Sequence, residues 1–153
     1  MKTRDFVHYA ETEADVAAVA DLIDNVDDWS AWTRPVVAQA KWIRRGEPQP
    51  GGRGAVRRLG LWPLFVREKI TSYERGRFQE YTVLSPHLFS SYLGRISLSA
   101  RANGGTSVSW SVELAPRLLL VGPVAAYALD HAIKRLLHNL VRAADVQSLL
   151  ADL

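Results

Sequence analysis

The alternation of hydrophobic and polar positions divides the chain into an early helix, a series of strands and a long closing helix. We expect the first helix to begin after Thr12, whose side-chain oxygen can cap it, and to end at Asn25. Its apolar positions share the spacing i, i+3, i+4 and i+7, and they are Val16, Val19, Ala20 and Ile23. This spacing predicts an amphipathic helix that packs on an apolar surface.

Strand-like segments precede and follow this helix. Residues 106–113 alternate most regularly, because Val108, Trp110 and Val112 point to one face and serines point to the other. The run Asn103-Gly104-Gly105 before them predicts a tight hairpin. The strands that we expect are Phe6–Ala10, Val36–Arg45, Gly54–Leu61, Leu64–Tyr73, Phe78–Ser85, Phe89–Ala102 and Thr106–Leu114.

A second, very short helical turn is expected between the first helix and the second strand. Asp27 or Asp28 can cap it, and Pro35 prevents its continuation. Trp29 and Trp32 are three residues apart, so this turn would direct both indoles to one side.

The C-terminal part predicts one long helix over residues 123–150, with a proline in its first turn. The apolar side of this helix consists of Leu129, Ile133, Leu136, Leu137, Leu140 and Ala144. His131 and His138 lie on the opposite, polar side, where Lys134 and Arg142 would repel a cation. We therefore expect no metal site on this helix.

Two apolar features at connections have several interpretations. The run Leu118–Val121 can gate a cavity, touch a membrane transiently, become buried in a homodimer or pack beneath the sheet. Trp62, at a strand connection, is either a lid residue or a packing residue. His8 and His87 are lone histidines, on a strand and in a turn, and each is either a structural residue or a candidate for acid–base chemistry.

Composition narrows the class of protein. With 153 residues and 48% hydrophobic residues, the chain can form one domain, residues 1–153, around a core of its own. The absence of cysteine excludes disulfides and thiolate chemistry and fits a reducing cytoplasm. No uninterrupted apolar signal segment follows the N-terminus, and the longest apolar run is well short of the roughly 20 residues that span a bilayer. We expect a cytoplasmic protein.

The charge distribution leaves one surface hypothesis open. The formal net charge is +3, and the excess lies between Arg44 and Lys69. Such a cluster can contact phosphates, RNA or an anionic membrane, or it can be the solvated outer face of a sheet; no DNA binding is expected. Its members are Arg44, Arg45, Arg53, Arg57, Arg58, Arg67 and Lys69.

Four segments together resemble the START-like, helix-grip (SRPBCC) superfamily, and within it the polyketide cyclase/dehydrase and lipid-transport group. They are Asp24–Trp32, the turn Pro48–Arg57, the Gly104-Gly105-Thr106 hairpin that leads into Val108-Ser109-Trp110, and the closing helix. The resemblance implies an α+β fold in which a curved antiparallel sheet of about seven strands surrounds the C-terminal helix, with two short helices after the first strand. It also implies an apolar cavity between the sheet and the C-terminal helix. We expect no cofactor.

Aromatic residues are the first candidates for ligand contacts. The resemblance places Trp29 at the position of a pocket aromatic, and Trp32 near a second one. Arg34-Pro35 stands where some cyclases carry a substrate-contacting tyrosine, which argues against cyclase chemistry. The flat faces of Tyr81, Tyr92 and Trp110 can likewise line a cavity for a flat hydrophobic ligand, or they can be plain core residues.

Arg57 and Glu68 are the second candidates. They lie on neighbouring predicted strands and can form a cross-strand ion pair either inside the cavity or on the outside. Strand parity leaves this open, because Arg57 and Arg58 point to opposite faces. An inward arginine would hold a ligand carboxylate, phosphate or enolate oxygen.

These observations favour a binding protein, and possible transporter, for a small hydrophobic molecule such as a lipid, polyketide or quinone. One alternative is a polyketide cyclase, aromatase or dehydratase, which requires at least two polar groups that converge in the cavity. Another is an RNA- or ribosome-interacting module that uses the Arg44–Lys69 cluster. No nucleophile elbow, triad or phosphate loop supports other enzyme classes.

Overall fold

The computed structural model describes residues 3–61, 64–117 and 122–153. The hypotheses for Trp62 and for Leu118–Val121 concern residues outside these ranges.

Seven strands form one antiparallel sheet in the described ranges. They are β1 (Arg4–Thr12), β2 (Gln39–Arg44), β3 (Val56–Leu61), β4 (Leu64–Glu74), β5 (Phe78–Ser85), β6 (Phe89–Ala100) and β7 (Thr106–Pro116). Their order in the sheet is β1-β7-β6-β5-β4-β3-β2, so every neighbour except the pair β1 and β7 is consecutive in sequence. The predicted series of strands after the short helices forms a meander, and β1 joins it beside the last strand.

The helices cover one face of this sheet. They are α1 (Val16–Asp24), a 3-10 turn (Val26–Asp28), α2 (Ser30–Thr33) and α3 (Gly122–Ala151). Helix α3 packs on β1 and β7 and also contacts α1 and α2. The predicted helix-grip arrangement is confirmed. Within the described ranges, no helix has the combination of length and hydropathy that a bilayer crossing needs.

The core lies between α3 and the inner face of the sheet. In β7, Val108, Trp110 and Val112 are buried and the serines between them are partly exposed, as the alternation predicts. The buried side of α3 includes Ile133 and Leu140, whereas His131 and His138 are exposed. Strand parity and helix periodicity therefore place the core correctly.

The predicted cap of the first helix is wrong. Thr12 still belongs to β1, where it pairs with Thr106, and its hydroxyl donates to Asp145 Oδ1 at 2.5 Å. Asp15 is the N-cap instead, since its Oδ1 accepts the backbone N–H of Ala18 at 2.9 Å. The longer strand moves the start of the helix, and Thr12 connects the sheet to the last part of α3.

The predicted caps of the short second helix are also wrong. No side chain caps α2. Asp27 Oδ1 accepts the backbone N–H of Trp42 at 3.0 Å, and Asp28 Oδ2 accepts from the Asn25 side-chain amide at 2.8 Å. Asp27 therefore connects the helical segment to β2, which begins at Gln39 and not at Val36.

Candidate functional site

Strands β3, β4 and β5 place three polar side chains on the inner face of the sheet. Arg57 lies directly opposite Glu68 in the β3–β4 register, and Gln79 lies on β5. Arg57 is 0% exposed, and Glu68 and Gln79 are also buried. Arg58 points to the outside. The alternatives that strand parity left open are thus resolved, because the Arg57–Glu68 pair is interior.

Four groups surround the Arg57 guanidinium. Its Nε donates to Glu68 Oε1 at 2.8 Å, and its Nη1 donates to Gln79 Oε1 at 2.9 Å. Its Cζ lies 4.6 Å from the ring centroid of Trp29 and 4.7 Å from that of Tyr81. Aromatic faces attract a cation most strongly where water is excluded, so the rings and the carboxylate together compensate the buried charge.

The position of Tyr81 depends on a glycine. Gly94 is its cross-strand partner on β6, and a Cβ added to Gly94 would lie 2.1 Å from Tyr81 Cζ. The tyrosine ring therefore lies across β6 where no side chain intervenes. Trp110 Nε1 donates to the Tyr81 hydroxyl at 2.8 Å, and the Tyr92 ring centroid is 6.0 Å from that of Tyr81. Tyr81 thus connects Arg57 to the aromatic residues of β6 and β7.

Burial controls the ionisation of this cluster. It raises the pKa of the Glu68 carboxyl above its ordinary value, an effect that the Arg57 guanidinium partly offsets. Burial also raises the pKa of the Tyr81 and Tyr92 hydroxyls, which therefore stay protonated and can donate. Within the described residues, Glu68 is the ion-pair partner of Arg57.

Gln79 has an unused hydrogen-bond donor. Among the residues that the structure describes, Gln79 Nε2 is the buried side-chain nitrogen or oxygen without a hydrogen-bond partner. Because Gln79 Oε1 accepts from Arg57, the orientation of the amide is determined. A buried donor without an acceptor is costly, so this N–H group marks a point where an acceptor would be stabilised.

The two tryptophans of the short helical segment have different surroundings. Trp29 is buried, and its indole N–H donates to the carbonyls of Leu22 and Ile23, at 3.0 Å each. Trp32 contacts Trp29, with ring centroids 5.2 Å apart, and also lines an external groove between α2 and α3. Trp29 thus contacts the Arg57 cluster, whereas Trp32 borders the outer surface.

Sequence reasoning missed two residues of this cluster, Gln79 and Gly94. Gln79 precedes Tyr81 by two positions on one strand, so the alternation that directs Tyr81 inward directs Gln79 inward as well. Gly94 lies two positions after Tyr92 on β6, on the same inner face. Alternation alone was a usable signal for both positions.

The remaining candidates lie apart from this cluster. His8 Nε2 donates to Asp130 Oδ1 at 2.5 Å, and His131 and His138 are exposed. No group of three or more potential metal ligands occurs in the described ranges. In the basic Arg44–Lys69 cluster, Arg57 is interior and cannot contact an external phosphate, while the other members are exposed.

The sequence profile described as polyketide cyclase / dehydrase and lipid transport matches residues 4–145. The chain belongs to this family. No curated protein matches the chain. Family membership and the helix-grip fold together imply binding of a hydrophobic ligand.

Solved structures extend the family assignment to the fold. A START superfamily protein from Mycobacterium smegmatis has a TM-score of 0.77 at 11% identity, over 94% of this chain and 98% of that chain. A protein from Nitrosospira multiformis has a TM-score of 0.73 at 18% identity, over 95% and 99%. Ara h 8.0201 has a TM-score of 0.68 at 16% identity, over 97% and 99%. These likenesses show the START-like fold.

Proposed function

We propose that this family member binds a small, flat hydrophobic molecule whose polar end is an uncharged hydrogen-bond acceptor, such as a ketone or quinone oxygen. The observation that carries the proposal is the unpartnered Nε2 of Gln79, which is buried beside the Arg57–Glu68 ion pair. An acceptor at this point would satisfy the amide, which otherwise carries the cost of desolvation.

The charge of the cluster supports a neutral ligand. Glu68 compensates Arg57, so the cluster carries no net charge that would attract a carboxylate or phosphate. An anionic ligand would place a second negative charge near Glu68 in a region of low dielectric constant. The expectation that Arg57 holds an anion therefore gives way to one in which Gln79 donates to a neutral oxygen.

The aromatic surroundings support a flat ligand. Trp29, Tyr81, Tyr92 and Trp110 are buried around the polar cluster, so an apolar molecule that enters the interior there would contact their rings. Trp32 remains a predicted contact through its ring contact with Trp29. Transport, a cytoplasmic location and transient membrane contact are further predictions from the sequence.

The first experiment identifies what the purified protein carries. Native mass spectrometry and organic extraction followed by mass spectrometry are expected to reveal a bound hydrophobic species with a carbonyl group. A protein that carries no such species, and that takes up none from a solution of long-chain quinones, would contradict the proposal.

The second experiment separates a neutral acceptor from an anion with two probes of equal shape. We expect 2-acetylnaphthalene to bind more tightly than 2-naphthoate, as measured by quenching of tryptophan fluorescence. Glu68→Gln removes the compensating charge, so it should reverse this preference. Gln79→Leu should weaken binding of the ketone selectively, and Gln39→Leu, at an exposed position on β2, is the matched control. Tighter binding of naphthoate by the wild-type protein would refute a neutral polar end.

A polyketide cyclase or dehydratase is the second candidate function. It requires at least two polar groups that converge in the interior, and Arg57, Glu68 and Gln79 do so. The Tyr81 hydroxyl can donate a proton to a developing enolate, and Glu68 is the nearby carboxylate. Incubation with a poly-β-ketone thioester tests this function; Tyr81→Phe should abolish ring formation, and unchanged products with and without protein would exclude turnover of that substrate.

A further inference from the structure

A groove crosses the outer surface between α2 and α3. Two adjoining hollows of about 620 and 430 Å³ form it, and both are lined by Leu22, Ala31 and Trp32. On the α3 side the lining includes Ala143 and Val146. These residues give the groove an apolar strip on the outside of the protein, and the polar residues beside it include Asp27, Asp28 and Arg34.

The last turns of α3 carry an exposed apolar stripe next to this groove. Val146, Leu149 and Leu150 are separated by three and four residues and share a helix face, and they are 49–69% exposed. The buried side of the same segment is formed by Leu140 and Ala144, so the stripe does not face the core of its own chain. Three adjacent exposed aliphatic side chains on one helix are a feature of interaction surfaces.

We propose that the groove and the stripe form one symmetric interface between two copies of this chain. In an antiparallel pair of α3 helices with the two-fold axis near Val146, residues four positions after the axis meet residues four positions before it. Leu150 of each copy then lies against Arg142 and Ala143 of the other, and Leu149 and Leu150 enter the groove beside Trp32. The same surface thus supplies both the groove and its occupant.

The charges around the axis fit a second copy. Arg142 lies on the stripe before Val146, and Asp152 lies in the turn that follows Leu150. In the antiparallel arrangement Arg142 of one copy comes within one helical turn of Asp152 of the other. Both side chains are exposed, and neither takes part in an ion pair within the described residues. Two equivalent ion pairs would therefore flank the apolar centre.

Solution mass tests the interface. Light scattering coupled to size-exclusion chromatography should give twice the 17.1 kDa of the single chain. The double variant Val146→Glu/Leu150→Glu should be monomeric, with the melting temperature showing that it folds. Val124→Glu, on the exposed side of the other end of α3, is the matched control and should remain dimeric. A wild-type protein that stays monomeric at millimolar concentration, or a double variant that stays dimeric, would overturn the proposal.

A crosslink tests the position of the axis. The chain contains no cysteine, so Val146→Cys introduces a single thiol. Because this residue faces its own equivalent across the proposed axis, mild oxidation should produce a covalent dimer. Val124→Cys should remain uncrosslinked under the same conditions. A dimer that crosslinks through Val124→Cys and not through Val146→Cys would place the interface elsewhere and refute this arrangement.

Discussion

Two arginines of this protein each bind two side chains through oxygen atoms. One of these arginines lies in the interior, and the other lies at the surface. Arg57 binds Glu68 and Gln79, and its side chain is 1% exposed. Arg75 binds Asp21 at 2.5 Å and Asp24 at 2.7 Å, and its side chain is 40% exposed. The bonds are similar in length, so the contrast between the two clusters is one of solvent.

This contrast shows why the two clusters differ in consequence. Water can solvate Arg75 and Asp21 if their bond breaks, so the bond contributes little net free energy. Around Arg57, water is excluded, and each member of the cluster depends on the others for compensation. Removal of one partner should therefore lower the free energy of unfolding strongly in the interior and only slightly at the surface.

Substitution of Arg57 should have the largest effect. Arg57→Met leaves the buried Glu68 carboxyl without its cation, and we expect a loss of about 3–5 kcal/mol in the free energy of unfolding at neutral pH. Urea denaturation followed by tryptophan fluorescence measures this loss.

The double variant Arg57→Met/Glu68→Leu is the matched control. It replaces the pair by apolar groups of similar volume, so it should be more stable than Arg57→Met alone. If the single and the double variant lose the same free energy of unfolding, the uncompensated charge of Glu68 is not the cause of the loss.

Gly94→Ala should have the next largest effect, because it acts on the ring beside Arg57. The added methyl would lie 2.1 Å from Tyr81 Cζ, so Tyr81 has to move away from the guanidinium. We expect a loss of about 1–3 kcal/mol, typical of overpacking in a core. Thermal unfolding measures it, and Tyr81→Val in the Gly94→Ala background should recover part of the loss. Absence of recovery would assign the effect to the backbone of β6.

The pH dependence of stability should distinguish the interior carboxyl of Glu68 from a partly exposed one. The pKa of Glu68 is raised above its ordinary value of 4.5, mainly by burial. Above that value the unfolded chain has lost a proton that the folded protein still holds, so Glu68 favours folding at low pH and loses this contribution as pH rises. The stability of the wild-type protein minus that of Glu68→Gln should therefore fall from about pH 4.5 upward, by no more than about 1.4 kcal/mol per pH unit.

Asp24 provides the comparison for this measurement. Burial also raises the pKa of Asp24, against the lowering effects of Tyr73 and Arg75. Asp24→Asn should give a pH-dependent difference of the same sign and of smaller size, because Asp24 is partly solvated. A rise of the wild-type advantage with pH for Glu68→Gln would mean that Arg57 outweighs burial.

The fold was largely predictable from sequence because periodicity reports burial directly. The alternation in β7 and the helical spacing in α3 identify the faces that meet in the core. Helix caps were less predictable, because Thr12 and Asp15 are both good capping residues and the length of β1 selects between them. That length depends on pairing with β7, which lies far away in sequence.

The site was predictable in part of its membership and not in its geometry. Arg57 and Arg58 are chemically identical neighbours, so either could satisfy the alternation, and the choice depends on partners supplied by other elements. Gln79 lies two residues before Tyr81 on the same strand, so alternation directs both side chains inward, but glutamine is usually exposed. Tertiary contacts decide which arginine is interior, whereas for Gln79 the strand pattern indicated the interior and only the residue type argued against it.

Substitution at the surface should have the smallest effect. Arg75→Ala removes two ion pairs, and we expect a loss below about 1 kcal/mol that decreases further in high salt. The Asp24 side chain is 19% exposed and retains its hydrogen bond from the Tyr73 hydroxyl, at 2.6 Å, so its carboxylate keeps contact with water and a donor in the variant. Urea denaturation at low and high salt measures the loss beside that of Arg57→Met. If Arg75→Ala proves as destabilising as Arg57→Met, exclusion of water does not explain the difference between the two clusters, and the connection of α1 to the sheet through Arg75 matters more than its exposure suggests.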